Sequence, residues 1–298
     1  MKTFLVVCVL ITSFAGVAFA SNSPKISQFL QQELSTDRSV FSALVVLKEQ
    51  ANFGGLELLT EVKQKRQLVV SRLRQVASNS QGDLLEELKR QGIKYRAFYI
   101  HNMIAIYDTT PAQIEGLAMR DDVSKVIANP VTKAIPKLAQ VQFFRDEDTL
   151  GVGPNISATG ADRVWQELGI RGQGMVVAGQ DTGYEWSHPA LKSKYRGWDG
   201  AAPDHDYNWH DAIHEPISGS SSNPCGYEAA APCDDNAHGT HTMGTMIGDD
   251  GLGNQIGMAP DATWIGCRNM DAGYGRPDTY IECFEFFLAP YPIGGVAM

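Results

Sequence analysis

Two segments in the second half of the sequence concentrate side chains able to move a proton. Gly174 to Asp181 (GMVVAGQD) is an apolar run that ends in an acid, and Asp181-Thr182-Gly183 breaks it. A carboxylate at the carboxyl end of a buried strand sits where open α/β sheets place their sites. The other segment, Asp234 to Thr245 (DDNAHGTHTMGT), passes from a polar loop into a small-residue, helix-like stretch. Its glycines let another backbone approach closely. His238 supplies an imidazole, the group whose unperturbed pKa suits general acid-base work near neutrality. At a helix start the macrodipole disfavours imidazolium. A neighbouring carboxylate such as Asp181 would favour it and fix the tautomer. The blander alternatives are an Asp capping a turn and a surface His. His241, three residues on, reads as a helix-packing or hydrogen-bonded histidine. A metal pair through His238 and His241 lacks a clear third ligand, so the metal content stays open.

These groups need elements to hold them. Ala161 to Leu168 (ADRVWQEL) is helix-like, and Gly169 to Gly174 supply the turn into the strand that ends at Asp181. The first half has a different plan. Ser39 to Leu47 (SVFSALVVL) is β-branched and apolar, a buried strand. Leu56 to Ala77 has helical spacing, and Asp83 to Gln91 continues as helix to a Gly92 C-cap. Lys94 to Ile100 and Met103 to Tyr107 read as paired strands around His101-Asn102. Thr110, Pro111 and Gln113 make a capping box with proline in the first turn. Val123 to Ala128 is a last strand, stopped by Asn129-Pro130. The order β-α-β-β-α-β predicts a ferredoxin-like α+β sandwich. It holds no nucleophile, metal cluster or phosphate loop, so this half reads as a binding module.

The composition, 43% hydrophobic and 20% charged over 298 residues, fits a globular chain of about two domains. The net charge of −9 excludes a polycationic nucleic-acid binder. It is unevenly spread: residues 1–150 carry 18 Lys/Arg against 15 Asp/Glu, and residues 151–298 carry 7 against 19. A slightly basic unit joined to an acidic one suggests mutual attraction. Met1 to Ala20 reads as a secretory signal: Lys2, an apolar stretch from Phe4, and Ala18-Phe19-Ala20 before a cut after Ala20. Export places the chain outside the cell, with no membrane contact once the signal is gone. It also places Cys225, Cys233, Cys267 and Cys283 in an oxidising compartment, where two disulfides have three connectivities. The turn-rich loop from Cys225 to Cys233 favours 225–233 and 267–283. Structural zinc is the competing use, with poor spacing for it.

The two long motifs resemble those of the subtilisin-like serine peptidases (subtilases). Gln180 to Leu191 (QDTGYEWSHPAL) resembles the family's aspartate motif, and Asn236 to Thr242 (NAHGTHT) with Gly244-Thr245 resembles its histidine motif. Ile256 to Pro260 (IGMAP) and the strand Ala262 to Cys267 resemble the segment that follows. The resemblance implies Asp181 as the carboxylate that orients the imidazole and His238 as general base, then acid. It implies an α/β parallel-sheet catalytic domain over 151–298, here its N-terminal half. An inhibitory ferredoxin-like propeptide over 21–135 would precede it, with a maturation region at 136–150. It implies polypeptide substrates, contact between propeptide and catalytic domain, and no required cofactor. Structural calcium is conceivable, but nothing has EF-hand spacing.

The family's third motif is not found: Gly239 to Met298 contains no serine, and the oxyanion asparagine segment is missing too. The expectation is therefore an incomplete chain, inactive as written, whose half-sheet exposes an edge. Trp198 to Asn236, containing His205, His210 and His214, reads as a solvated surface insertion stapled by Cys225–Cys233. Two other readings remain. One is a non-catalytic inhibitor or folding helper for a full-length relative. The other is an aspartic peptidase using the single D-T-G, which leaves His238 unexplained.

Overall fold

The computed structural model describes residues 23–133, 151–217 and 223–295. The expected signal, 1–20, and the expected maturation region, 136–150, lie outside the described residues. The N-terminal unit runs α1 (Gln28–Leu34), β1 (Phe41–Leu47), α2 (Val62–Ser80), α3 (Gly82–Arg90), β2 (Lys94–Phe98), β3 (Met103–Thr109), α4 (Pro111–Met119) and β4 (Val123–Ala128). Its sheet has the order β2-β3-β1-β4, every pair antiparallel, which is the β-α-β-β-α-β sandwich. Leu84 and Leu88 of α3 and Ile114 and Leu117 of α4 pack on one face, against Val45, Ile104 and Val126. On the other face, Leu44, Phe98, Met103 and Ala105 meet Ile281 of the second unit. Coverage on both faces explains why β1 is apolar almost throughout rather than alternating.

Two local readings shift. The helix expected from Leu56 begins at Val62, because Gly55 takes φ +86° and leads into an isolated 3₁₀ turn over Leu56–Leu58. Helix α1 was not anticipated; the Ser27 hydroxyl caps it, and Leu30 and Leu34 bury its inner side.

The short strand β5 (Thr132–Lys133) ends the N-terminal unit, and the second unit starts with β6 (Gly151–Val152), α5 (Pro154–Thr159), α6 (Ala161–Leu168), β7 (Val176–Asp181), α7 (Pro189–Lys192) and β8 (Trp209–Asp211). It then runs α8 (His238–Ile247), β9 (Asn254–Gln255), β10 (Thr263–Arg268), β11 (Met270–Asp271), β12 (Tyr274–Gly275) and α9 (Pro277–Leu288). Strands β7, β10 and β8 form a parallel sheet with β10 central. The register sets Arg268 beside both Asp181 and Asp211, so three charged residues end the strands in one row. Tyr184, Trp209, Met243 and Trp264 are the large buried groups beneath that row.

The stretch 198–236 is not the solvated insertion that its composition suggests. It supplies β8, buries Trp209 to 1% exposure, and puts the Asp211 carboxylate against the fully buried Arg268 guanidinium. Cys225 pairs with Cys233, and Cys267 with Cys283, with Cα separations of 5.7 and 5.6 Å. The latter ties β10 to α9.

The units meet along α9. Tyr107 donates its hydroxyl to Asp278 (2.6 Å), and Arg276 lies 5.2 Å over the Tyr107 ring. Beyond β4, strand β5 pairs antiparallel with β12, Lys133 opposite Tyr274.

Candidate functional site

Asp181 ends β7 with its side chain buried. Three donors converge on its carboxylate. The Thr182 backbone N–H gives Oδ1 a 2.7 Å bond, and the Thr242 hydroxyl lies 3.1 Å from Oδ2. The third is His238, whose Nδ1 is 2.8 Å from Oδ1 and 3.0 Å from Oδ2. An ionised carboxylate only accepts, so Nδ1 carries the proton and Nε2 is left as the basic nitrogen. The His238 side chain keeps 30% exposure while that of Asp181 keeps 10%. The pair is therefore a buried anion that orients a ring reachable from solvent.

The polar loop before α8 explains how His238 is placed. Asp234 Oδ1 accepts the N–H groups of Asn236 and Ala237 as well as the Thr182 hydroxyl (3.1, 2.9 and 2.7 Å). Its Oδ2 accepts the Thr240 N–H at 2.8 Å, and the Thr240 hydroxyl. A carboxylate here satisfies orphan donors of the first turn and complements the helix dipole. Ala237 bends the chain into the helix at φ +64°. The two glycines are required by close approach. A Cβ on Gly239 would lie 2.0 Å from the Gly183 carbonyl oxygen, and one on Gly183, at φ +106°, 1.8 Å from that of Cys233.

A buried guanidinium and the carboxylates around it fix the loop from below. Arg268 makes a two-pronged pair with Asp211 (2.9 and 2.7 Å), donates to the Gly226 carbonyl (2.6 Å) and reaches Asp235 at 3.5 Å. Burial raises the Asp235 carboxyl to about 6, against the opposing pull of the Ala272 N–H and Arg268.

The other histidines go elsewhere. His241 is exposed on α8, not packed as expected. His205 lies against Trp186 and bonds the Tyr195 hydroxyl (3.0 Å). His210 and His214 face α9: His210 Nε2 is 2.7 Å from Glu282, and His214 Nδ1 is 2.7 Å from Glu228. Among the described residues, no group of three or more His, Cys, Asp and Glu is arranged to hold a metal ion. No helix among them is long and apolar enough to cross a membrane.

Comparison with known proteins fits this geometry. Residues 172–282, which span both Asp181 and His238, match the subtilase family. These residues belong to the subtilase family. Bacillopeptidase F of Bacillus subtilis (strain 168) is 36% identical over 240 residues, covering 76% of this chain and 16% of that protein. The minor extracellular protease Vpr of the same organism is 26% identical over 284 residues, covering 92% of this chain and 32% of Vpr. The chain thus spans a third or less of the length of these two relatives. Among solved structures, a mutant of the epidermin leader peptide processing serine protease of Staphylococcus aureus aligns with a TM-score of 0.49 at 15% identity. That alignment covers 79% of this chain and 44% of that one.

Sequence reasoning found Asp181 and His238 in this subtilase segment. It missed Asp234, Thr242 and Arg268. An acid placed before a small-residue helix start is a capping signal that could have exposed Asp234. Nothing local marks Arg268, which is defined by carboxylates far away in the sequence.

Proposed function

We propose that Asp181 and His238 are two members of the proton relay of a secreted serine-type endopeptidase, and that residues 21–135 are its inhibitory propeptide. The 2.8 Å contact between His238 Nδ1 and Asp181 Oδ1 carries this reading. With Nδ1 committed to the carboxylate, Nε2 would take the proton of a serine hydroxyl as it attacks a peptide carbonyl. Nε2 would then return the proton to the leaving amine. Asp181 stabilises the imidazolium formed between those steps and keeps the tautomer. The serine is not among residues 239–298, so a polypeptide of residues 1–298 is expected to hydrolyse nothing. Acyl transfer by this route needs no cofactor.

Docking of the N-terminal unit on α9, with β5 laid along β12, supports the inhibitory role. The chain segment leading to the maturation region then lies on a strand edge that an extended peptide could use. The signal reading and the printed name of Vpr support export. The engagement of Asp181 by an imidazole counts against an aspartic peptidase.

The test uses the translated product of the whole reading frame that contains residues 1–298. It should cleave casein and be blocked by a serine-directed inhibitor. Asp181→Asn should lower kcat by about 10⁴-fold, and His238→Ala by at least as much. Full activity in His238→Ala, or inhibition only by acid-protease inhibitors, would overturn the assignment.

A further inference from the structure

Between β2, β8 and α9 lies a cavity of about 540 Å³ lined by charged groups from both units. Arg96 of β2 enters it from the N-terminal unit. Its Nη1 contacts Glu282 Oε2 and His214 Nε2. His214 Nε2 also lies 2.9 Å from Glu282 Oε1, so its ring stands between two carboxylates and the guanidinium. With Nδ1–H donated to Glu228 (2.7 Å), Nε2 accepts from Arg96 and faces Glu282 Oε1 without a hydrogen bond. His210 Nε2–H donates to that Oε1 (2.7 Å), which leaves Oε2 for Arg96. One guanidinium nitrogen has two hydrogens, and two acceptors face it. Burial, His214 and Arg96 together lower His210 to about 3, and burial followed by Arg96 lowers His214, so both rings are neutral acceptor-donor groups near neutrality. The Glu282 side chain is only 9% exposed, so its charge is matched chiefly by Arg96.

We propose that this cavity is a guanidinium-recognition pocket that locks the N-terminal unit onto the second unit through Arg96. The inference rests on the reading of residues 21–135 as a docked propeptide and deepens it by naming what is recognised. The partner it fits is a β-strand presenting an arginine. A lysine would bring the charge on a more strongly hydrated ammonium, which is harder to bury beside Glu282 than a guanidinium. Five of the lining residues, His210, Asp211, His214, Glu228 and Ala229, come from the 198–236 stretch. That stretch therefore supplies the selectivity, while α9 supplies the countercharge.

The experiment follows hydrogen exchange of the Tyr99 and Ile100 amides in the full chain, because both donate across the interface to Glu285. Arg96→Ala should lower their protection about a hundredfold or more, since it strands a buried carboxylate. Arg96→Lys should recover only part of it. The double variant Arg96→Ala with Glu282→Gln should be better protected than Arg96→Ala alone, because no unpaired charge is left. Ethylguanidinium at millimolar concentration should restore protection to Arg96→Ala, and ethylammonium should not. Unchanged protection in Arg96→Ala, or equal rescue by both cations, would overturn the proposal. Loss of protection together with unchanged inhibition of the active product would keep the lock and remove the inhibitory reading instead.

Discussion

Glu285 Oε1 lies 2.8 Å from the backbone nitrogen of Ile100, although the two residues are 185 apart in sequence. The same oxygen takes the Tyr99 N–H. One side chain of α9 thus satisfies two donors at the tip of the β2–β3 hairpin. Burial raises the Glu285 carboxyl to about 7, against the pull of those two N–H groups and of Arg74 and Arg96. An acid raised in the folded state binds its proton more tightly there. Its stabilising share is fully present below about 4.5 and is lost as pH climbs to about 7. His210, held at about 3, has the opposite sign: its share is present above the ordinary imidazole pKa and fades as pH falls toward 3. The difference between wild type and Glu285→Gln isolates the carboxyl from the histidine. Denaturant melts should show that difference shifting by roughly 3 kcal/mol against wild type between pH 4.5 and 7, then levelling. A pH-independent difference would refute the linkage.

Gly239→Ala should destabilise the second unit by about 3 kcal/mol, because its Cβ has the Gly183 carbonyl in its place and neither backbone segment is free to retreat. Thermal unfolding measures this. Gly244→Ala, whose Cβ meets only Ile256 at 3.8 Å, serves as the tolerated control on the same helix.

Arg268 is 0% exposed, so Arg268→Ala should cost about 3–5 kcal/mol by leaving Asp211 buried and unpaired. Replacing both partners with apolar residues, as in Arg268→Met with Asp211→Leu, should cost less than Arg268→Ala alone. Urea unfolding of these two variants and of the single variants Arg268→Met and Asp211→Leu decides it, and additive losses would contradict the pairing.

Thr242 lies one helical turn after His238 and shares the Asp181 carboxylate with it. Removing its hydroxyl in Thr242→Val takes about 1 kcal/mol of orientation from that carboxylate. In the active product kcat should fall about fivefold with KM unchanged, and Thr242→Ser should recover it. An unchanged kcat would show that the hydroxyl serves only its other partner, the Gly239 carbonyl 2.9 Å away.

The pairing of Asp181 with His238 was legible because Gln180 to Leu191 and Asn236 to Thr242 resemble the two subtilase motifs; the strand end and the glycine-spaced helix start alone left a turn-capping Asp and a surface His open. The β-α-β-β-α-β order was legible locally: caps and periodicity mark each element, as at Thr110-Pro111-Gln113. Strand β8 was not, since Trp209–Asp211 is too short to show alternation and is surrounded by turn residues. His210 and His214 looked solvated because their partners, Glu282 and Arg96, lie 68 or more residues away. Burial of a polar side chain is decided by such distant partners, and no local window contains them.

The stretch linking the acid to the imidazole also limits how the protein can be shortened. Trimming 198–236 to a tight turn would delete Asp211, Glu228 and Asp235 together. A guanidinium would then sit unmatched at the end of the central strand, and the floor under the histidine loop would go with it. A leaner variant would have to replace Arg268 with an apolar residue in the same step.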